Sequence, residues 1–193
     1  MNLTDETRSS RRGRISVWVV LALVAGCSAS IAAAPNAEGA FGAGLLALAI
    51  TIAIIDWRTL IIPDWLNASV FALGMIQTVA FAQEGFRVHA ALDALARGAA
   101  LGGVLLAVRM IYKRVRAREG LGLGDVKLAG TGGVWIGWTM LPIVIEIAAL
   151  SALATFLLAP RLTGRAPSWD ARLPFGAFLA PAIWAAWLIQ SLL

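Results

Sequence analysis

The sequence predicts an all-α polytopic membrane protein with about seven transmembrane helices, on three observations. Composition is the first: of 193 residues 60% are hydrophobic and only 14% charged, with a mean hydropathy of +0.80, whereas a soluble domain is about half apolar and a quarter charged. Run length is the second, because the apolar residues fall into segments close to the roughly 17–25 residues that cross a bilayer. They alternate too little for the strands of a membrane barrel. The third is the one-sided placement of Lys and Arg, which orients a membrane chain.

The segments are, in order, about Ile15–Ala34, Gly39–Ile55, Trp65–Ala82, Ala91–Tyr112, Val126–Leu141, Ile143–Ala159 and Pro174–Leu193. The first follows a tail bearing Arg8, Arg11, Arg12 and Arg14. Basic residues, an apolar run and the small residues after Gly26-Cys27 also fit a cleaved signal. A retained first helix is the simpler reading, and residue 38 lies outside on both. Residues 1–38 are therefore read as a basic tail plus an extra helix, and 39–193 as the main membrane domain. The fifth segment is short and rich in glycine, so its limits are the least defined.

With seven alternating spans, the basic tail, Arg58, the run Lys113, Arg114, Arg116 and Arg118 with Lys127, and Arg161, Arg165 and Arg172 share one side. The other side holds Arg87 and little else. That asymmetry predicts a cytoplasmic N-terminus and an external C-terminus. Arg109 is within a turn of the basic loop and can snorkel to it. Asp93 and Arg97, one turn apart near the outer end of the fourth helix, are expected to pair. Eight tryptophans against one tyrosine suit anchors at the bilayer interface. The net charge of +5 is read as topology rather than nucleic-acid binding. One cysteine, Cys27, and one histidine, His89, exclude an internal disulfide and a cysteine-based metal site, and argue against a histidine-rich site and a Ser-His-Asp triad. No metal or cofactor is expected.

Eleven acids are few enough to sort. Asp5, Glu6, Glu38, Glu84, Glu119 and Asp170 fall in tails or loops. Glu146, inside the sixth helix, is either a buried functional acid or a residue near the outer interface. Asp56, Asp64 and Asp125 remain. Asp56 ends an apolar run and Asp125 begins one, so both lie at the same depth on the basic side. One such acid is ordinarily an interface marker. Two at one depth, each in a special local sequence, would share a proton if they converged. One carboxylate could then activate water while its protonated partner polarised a carbonyl, as in aspartic proteases. Gly122 and Gly124 flank Asp125 and permit unusual dihedrals and close approach. They fit a turn before a helix, or a strip beside which a substrate strand passes.

These residues resemble the type IV prepilin peptidases, membrane aspartic proteases of bacteria. The first motif reads Asp56-Trp57-Arg58-Thr59-Leu60-Ile61-Ile62-Pro63-Asp64 and the second Gly122-Leu123-Gly124-Asp125-Val126-Lys127; Pro174-Phe175-Gly176 matches a third feature at the start of the last helix. Presenilin-like proteases share Gly-x-Gly-Asp, but their Pro-Ala-Leu motif is absent. The resemblance, over about Gly39 to Leu193, implies that Asp56 and Asp125 are the catalytic pair and that Asp64 is not. It implies substrate-binding roles for Gly122, Gly124, Lys127, Pro174, Phe175 and Gly176. Lys127 would set the local charge or contact the other motif's loop, or be a plain interfacial lysine; a helix start accounts for Pro174 equally well. The implied substrates are prepilins or pseudopilins, cut at the cytoplasmic face after a glycine, between a basic leader and an apolar helix. The implied partners are thus these substrates and membrane lipid. Large members carry paired Cys-x-x-Cys motifs and also methylate the product. This chain has none, so it resembles the short, cleavage-only members of tight-adherence pilus systems. A transporter would place its acids nearer mid-bilayer, and a noncatalytic assembly subunit would not need the pair.

Overall fold

The computed structural model describes residues 19–34, 36–117, 120–163 and 173–193. Asp5, Glu6, Arg8, Arg11, Arg12, Arg14, Arg118, Glu119, Arg165, Asp170 and Arg172 lie outside them. Among the described residues the chain is all-helical: α1 (Val19–Ala33), α2 (Ala37–Thr59), α3 (Asp64–Phe81), α4 (Arg87–Arg116), α5 (Leu123–Gly132), α6 (Met140–Thr163) and α7 (Gly176–Leu192). α2, α4 and the apolar part of α6, Met140–Leu158, are long and apolar enough to cross a membrane. At 1.5 Å per residue, α2 is about 35 Å long against a hydrocarbon core of about 30 Å. The molecule is a multi-pass membrane protein.

The predicted fifth span does not form one helix. α5 has ten residues, or about 15 Å, half a bilayer. A 3-10 turn, Gly133–Trp135, follows it, then extended Ile136, and α6 starts at Met140. The glycines explain this. Gly has a low helix propensity, and these glycines trade it for contact. A Cβ on Gly132 would come within 2.2 Å of Ile183 Cδ1, and one on Gly133 within 2.8 Å of Gly98 Cα. The segment is thus tucked between α4 and α7.

Packing follows helical spacing. α7 packs against α2, α5 and α6, while α3 and α4 close over α5. The buried face of α2 runs through Leu45, Ala49, Ile52 and then Asp56. On α5 it starts with Asp125 and continues through Leu128, Ala129 and Gly132. On α7 it starts with Gly176 and continues through Leu179, Ala180 and Ile183. Each is the three-and-four spacing of one helix face. Two carboxylates and a glycine therefore occupy the ends of three apolar stripes that meet.

At the opposite end Arg97 pairs with Asp93, whose other oxygen accepts from Trp138 Nε1 at 2.9 Å; this is the expected one-turn pair. Glu146 is on the exposed face of α6, not in the core. The tryptophans divide. Trp57, Trp65 and Trp138 are exposed, as interface anchors are. Trp135 and Trp187 are buried. Trp135 Nε1 donates to the Val70 carbonyl at 2.9 Å, and Trp187 lies over Gly42, where any Cβ would overlap its ring.

Candidate active site

Asp56 lies in the last turn of α2, still helical, and is 4% exposed; Asp125 is 7% exposed. Buried carboxylates need hydrogen-bond donors, and helix starts supply them. The backbone N–H of Ala177, in the first turn of α7, donates to Asp56 Oδ2 at 3.0 Å. The N–H of Gly122 donates to Asp125 Oδ2 at 3.1 Å. Gly122 is the N-cap of α5 and Asp125 its third residue, so this is the acidic half of a capping box. Both acids thus face the positive end of a helix.

Gly176 brings them together. A Cβ at this position would meet Asp125 Oδ1 at 2.9 Å, Asp56 Oδ2 at 3.0 Å and Ile62 Cδ1 at 2.5 Å. The two carboxylate oxygens are therefore no farther apart than the sum of their distances to that point. An edge-to-face contact between Trp57 and Phe178, centroids 5.9 Å apart, fixes the end of α2 against the start of α7.

The loop from Asp56 to Asp64 closes one side. α2 ends at Leu60, which adopts the left-handed conformation (φ 56°) and donates its N–H to the Asp56 carbonyl at 2.9 Å. A non-glycine residue there costs of order 1 kcal/mol or more. Thr59 Oγ1 accepts from the Ile61 N–H and donates to the Ile55 carbonyl at 2.9 Å. Pro63, the N-cap of α3 (φ −62°, ψ 137°), turns the chain into the next helix. Ile62 points inward and is 7% exposed. A Cβ on Gly124 would meet Ile62 Cβ at 3.2 Å. Gly122 has an ordinary extended conformation (φ −67°, ψ 147°), so the unusual dihedrals expected there are not used. Its need is for space: a Cβ would lie 3.0 Å from Asp125 Oδ2.

A cleft of about 270 Å³ opens between the two motifs, lined by Asp56, Ile62, Asp64, Gly122, Asp125 and Lys127 among others. Lys127 Nζ pairs with Asp64 Oδ1 at 2.7 Å, both side chains being well exposed. Of the readings open for Lys127, contact with the other motif's loop is the one observed. Pro174 and Phe175 form the approach to α7, where the Pro174 carbonyl accepts from Ala177 N–H at 3.2 Å. They do not line this cleft, whereas Gly176 touches both acids.

Two residues here escape the sequence reading. Ile62 wedges between Gly124 and Gly176; the sequence has it inside the first motif without showing this role. Arg109 donates to the Leu121 carbonyl, and its charge reaches Asp125. It braces the glycine loop as well as being able to snorkel. Among the described residues no three Asp, Glu, His or Cys side chains group as metal ligands do. Two neighbouring carboxylates at a water-accessible cleft can exchange a proton with water, which is the chemistry of general acid–base hydrolysis.

Residues 43–157 match the type IV leader peptidase family. The chain is 35% identical over 160 residues to a prepilin leader peptidase/N-methyltransferase of Burkholderia pseudomallei, covering 82% of this chain and 48% of the relative. It is 34% identical over 146 residues to the protein of that name from Pseudomonas aeruginosa (75% and 46%). With that of Escherichia coli K12 it is 35% identical over 132 residues (68% and 55%). The chain thus spans about half the length of the curated relatives it matches. No solved structure matches it.

Proposed function

The chain belongs to the type IV leader peptidase family, and on that premise we propose that it is a membrane aspartic endopeptidase that removes the basic leader from prepilins or pseudopilins. The observation that carries this reading is the approach of the Asp56 and Asp125 carboxylates to one point beside Gly176, at the mouth of a cleft. Two carboxylates this close and this buried hold a single proton between them. The ionised one takes a proton from water as the water oxygen attacks the scissile carbonyl carbon. The protonated one gives its proton to the carbonyl oxygen, forming a neutral gem-diol intermediate. The C–N bond then breaks as the protonated aspartate gives its proton to the leaving nitrogen while the ionised one takes a proton from a gem-diol hydroxyl, so that a carboxylic acid and an amine leave and the dyad again holds one proton. No metal or cofactor takes part.

The cleft suits an extended peptide. Gly122 and Gly124 present backbone without side chains beside Asp125, Lys127 stands at its rim, and Pro174, Phe175 and Gly176 set the start of α7 against both acids. A small residue before the scissile bond fits such a narrow place. The site faces the cytoplasm of a bacterial inner membrane, with the N-terminus on the same side; support comes from Lys113, Arg114 and Arg116 at the end of α4, which adjoins the α5 start that bears Asp125. The test is co-expression with a leader-bearing pilin from the same genome, followed by electrophoresis and N-terminal sequencing. Loss of the leader at one bond following glycine supports the reading. An intact precursor beside correctly inserted protein overturns it.

A further inference from the structure

A second concavity, about 610 Å³, lies between α3, α4 and α5 and opens outward along the bundle. Its lining includes Asn67, Phe71, Leu95, Gly103, Leu106 and Gly130, and at one end Asp64 and Lys127. Those last two also line the cleft that holds the catalytic pair, so the groove and the cleft adjoin at the Asp64–Lys127 ion pair. Along α4 the groove extends from Leu95 to Leu106, about 16 Å or three helical turns.

Two features of this groove have no explanation in the fold. Asn67 is 4% exposed, yet both its side-chain nitrogen and its side-chain oxygen lack a hydrogen-bond partner. Buried amides are normally satisfied. Gly103 is the other. Gly98 and Gly102 on the same helix let α5 approach, since a Cβ on either would press on the Gly130 backbone at 2.5 and 3.1 Å. A Cβ on Gly103 would meet nothing within 4 Å. A glycine inside a helix that no neighbour requires leaves an unfilled strip of backbone, the kind of surface on which a second helix packs closely in a membrane.

We propose that this groove docks the apolar helix of the substrate, with Asn67 bonding a polar group of that helix and Gly103 giving it close approach. The inference rests on the peptidase reading, which fixes what the occupant is. The scissile bond divides a leader from an apolar helix, so with the bond at Asp56 and Asp125 the helix must leave the cleft directly into the membrane. The groove is the apolar path that starts at the cleft's own rim.

The test uses the full chain in membranes with a leader-bearing substrate. Wild-type processing is measured first; its absence overturns the peptidase reading, and this inference with it. Given processing, Gly103→Cys is placed in a Cys27→Ala, Asp125→Asn background, and single cysteines are walked along the substrate's apolar helix. Disulfide adducts recurring every three or four positions are expected. No adduct, as when lipid fills the groove, or a Gly103→Cys homodimer in place of one, overturns the groove while leaving the peptidase reading intact. In the active enzyme, Gly103→Leu should raise KM about tenfold with kcat unchanged, the signature of lost uniform binding. Asn67→Leu should raise KM several-fold without lowering the thermal midpoint, because it removes an unsatisfied buried amide. An unchanged KM in both variants overturns the proposal.

Discussion

Replacing Gly176 with alanine adds one methyl group where three residues meet. The added carbon would be 2.5 Å from Ile62 Cδ1, 2.9 Å from Asp125 Oδ1 and 3.0 Å from Asp56 Oδ2. The first contact is with the far end of a flexible side chain, which can turn away. The other two are with carboxylates already held in place, Asp56 by the Ala177 amide on that same oxygen at 3.0 Å and Asp125 by the Gly122 amide on its other oxygen at 3.1 Å. A comfortable contact requires each oxygen to retreat by about half an ångström, or the start of α7 to move away. Either shift spoils the alignment of the pair, and a misplacement of about 1 Å costs on the order of a hundredfold in rate. We expect Gly176→Ala to lower kcat by about 10- to 100-fold with KM little changed. Overpacking would cost about 1–3 kcal/mol of stability, so membrane levels and thermal midpoint are measured alongside. Gly44→Ala is the control, since its methyl meets only the end of Leu73, at 3.0 Å, far from the site. The assay is initial-rate leader cleavage at matched enzyme levels. Wild-type kcat in Gly176→Ala would refute the claim that this glycine sets the spacing of the acids.

The remaining predictions concern the surroundings of the pair. Asp64→Asn should retain substantial leader cleavage, because an exposed ion pair such as Asp64–Lys127 is worth about 0–1 kcal/mol; a dead variant beside an active Asp56→Asn would mean that Asp64 is the acid at work. Arg109→Ala removes the brace on the Leu121 carbonyl and should slow cleavage about tenfold without unfolding the protein, as seen by initial rates and thermal midpoint; an unchanged rate would show that the glycine loop holds itself. A reporter fused after Arg118 should read cytoplasmic and one at Gly85 external, the reverse of which would reject the orientation drawn from the positive charges.

The two acids can be picked out of the sequence because Asp56 ends one apolar run and Asp125 begins another, at one depth, each inside a motif of the resemblance. Which face of α2 is buried cannot be read, because Leu45 to Ile55 is almost uniformly apolar. The close approach of Gly122 and Gly124 was also legible, although the reason is room for Asp125 and Ile62 rather than a special dihedral. The fifth segment misled because hydropathy reports burial, not helix. Residues 126–141 are apolar since they pack inside the bundle, yet their glycines break the helix after Gly132. Trp135 and Trp187 misled for a related cause: an indole can be an interface anchor or a core residue whose N–H finds a carbonyl, and composition cannot tell these apart. What Arg109, Ile62 and Asn67 do at the site carried no local signature. Their roles arise from contacts or gaps between helices distant in sequence, which no spacing rule encodes.

The central claim is that Asp56 and Asp125 act as one unit, and its most direct test is leader cleavage by Asp56→Asn, Asp125→Asn and the double variant at matched membrane levels. Each asparagine keeps the size of the side chain and an oxygen for the Ala177 or Gly122 amide, and removes only the titrating group. We predict that each single variant accumulates normally and cuts no substrate, and that the double is no worse than either, since residues of one catalytic unit are not additive. Robust cleavage by either single variant would contradict the dyad.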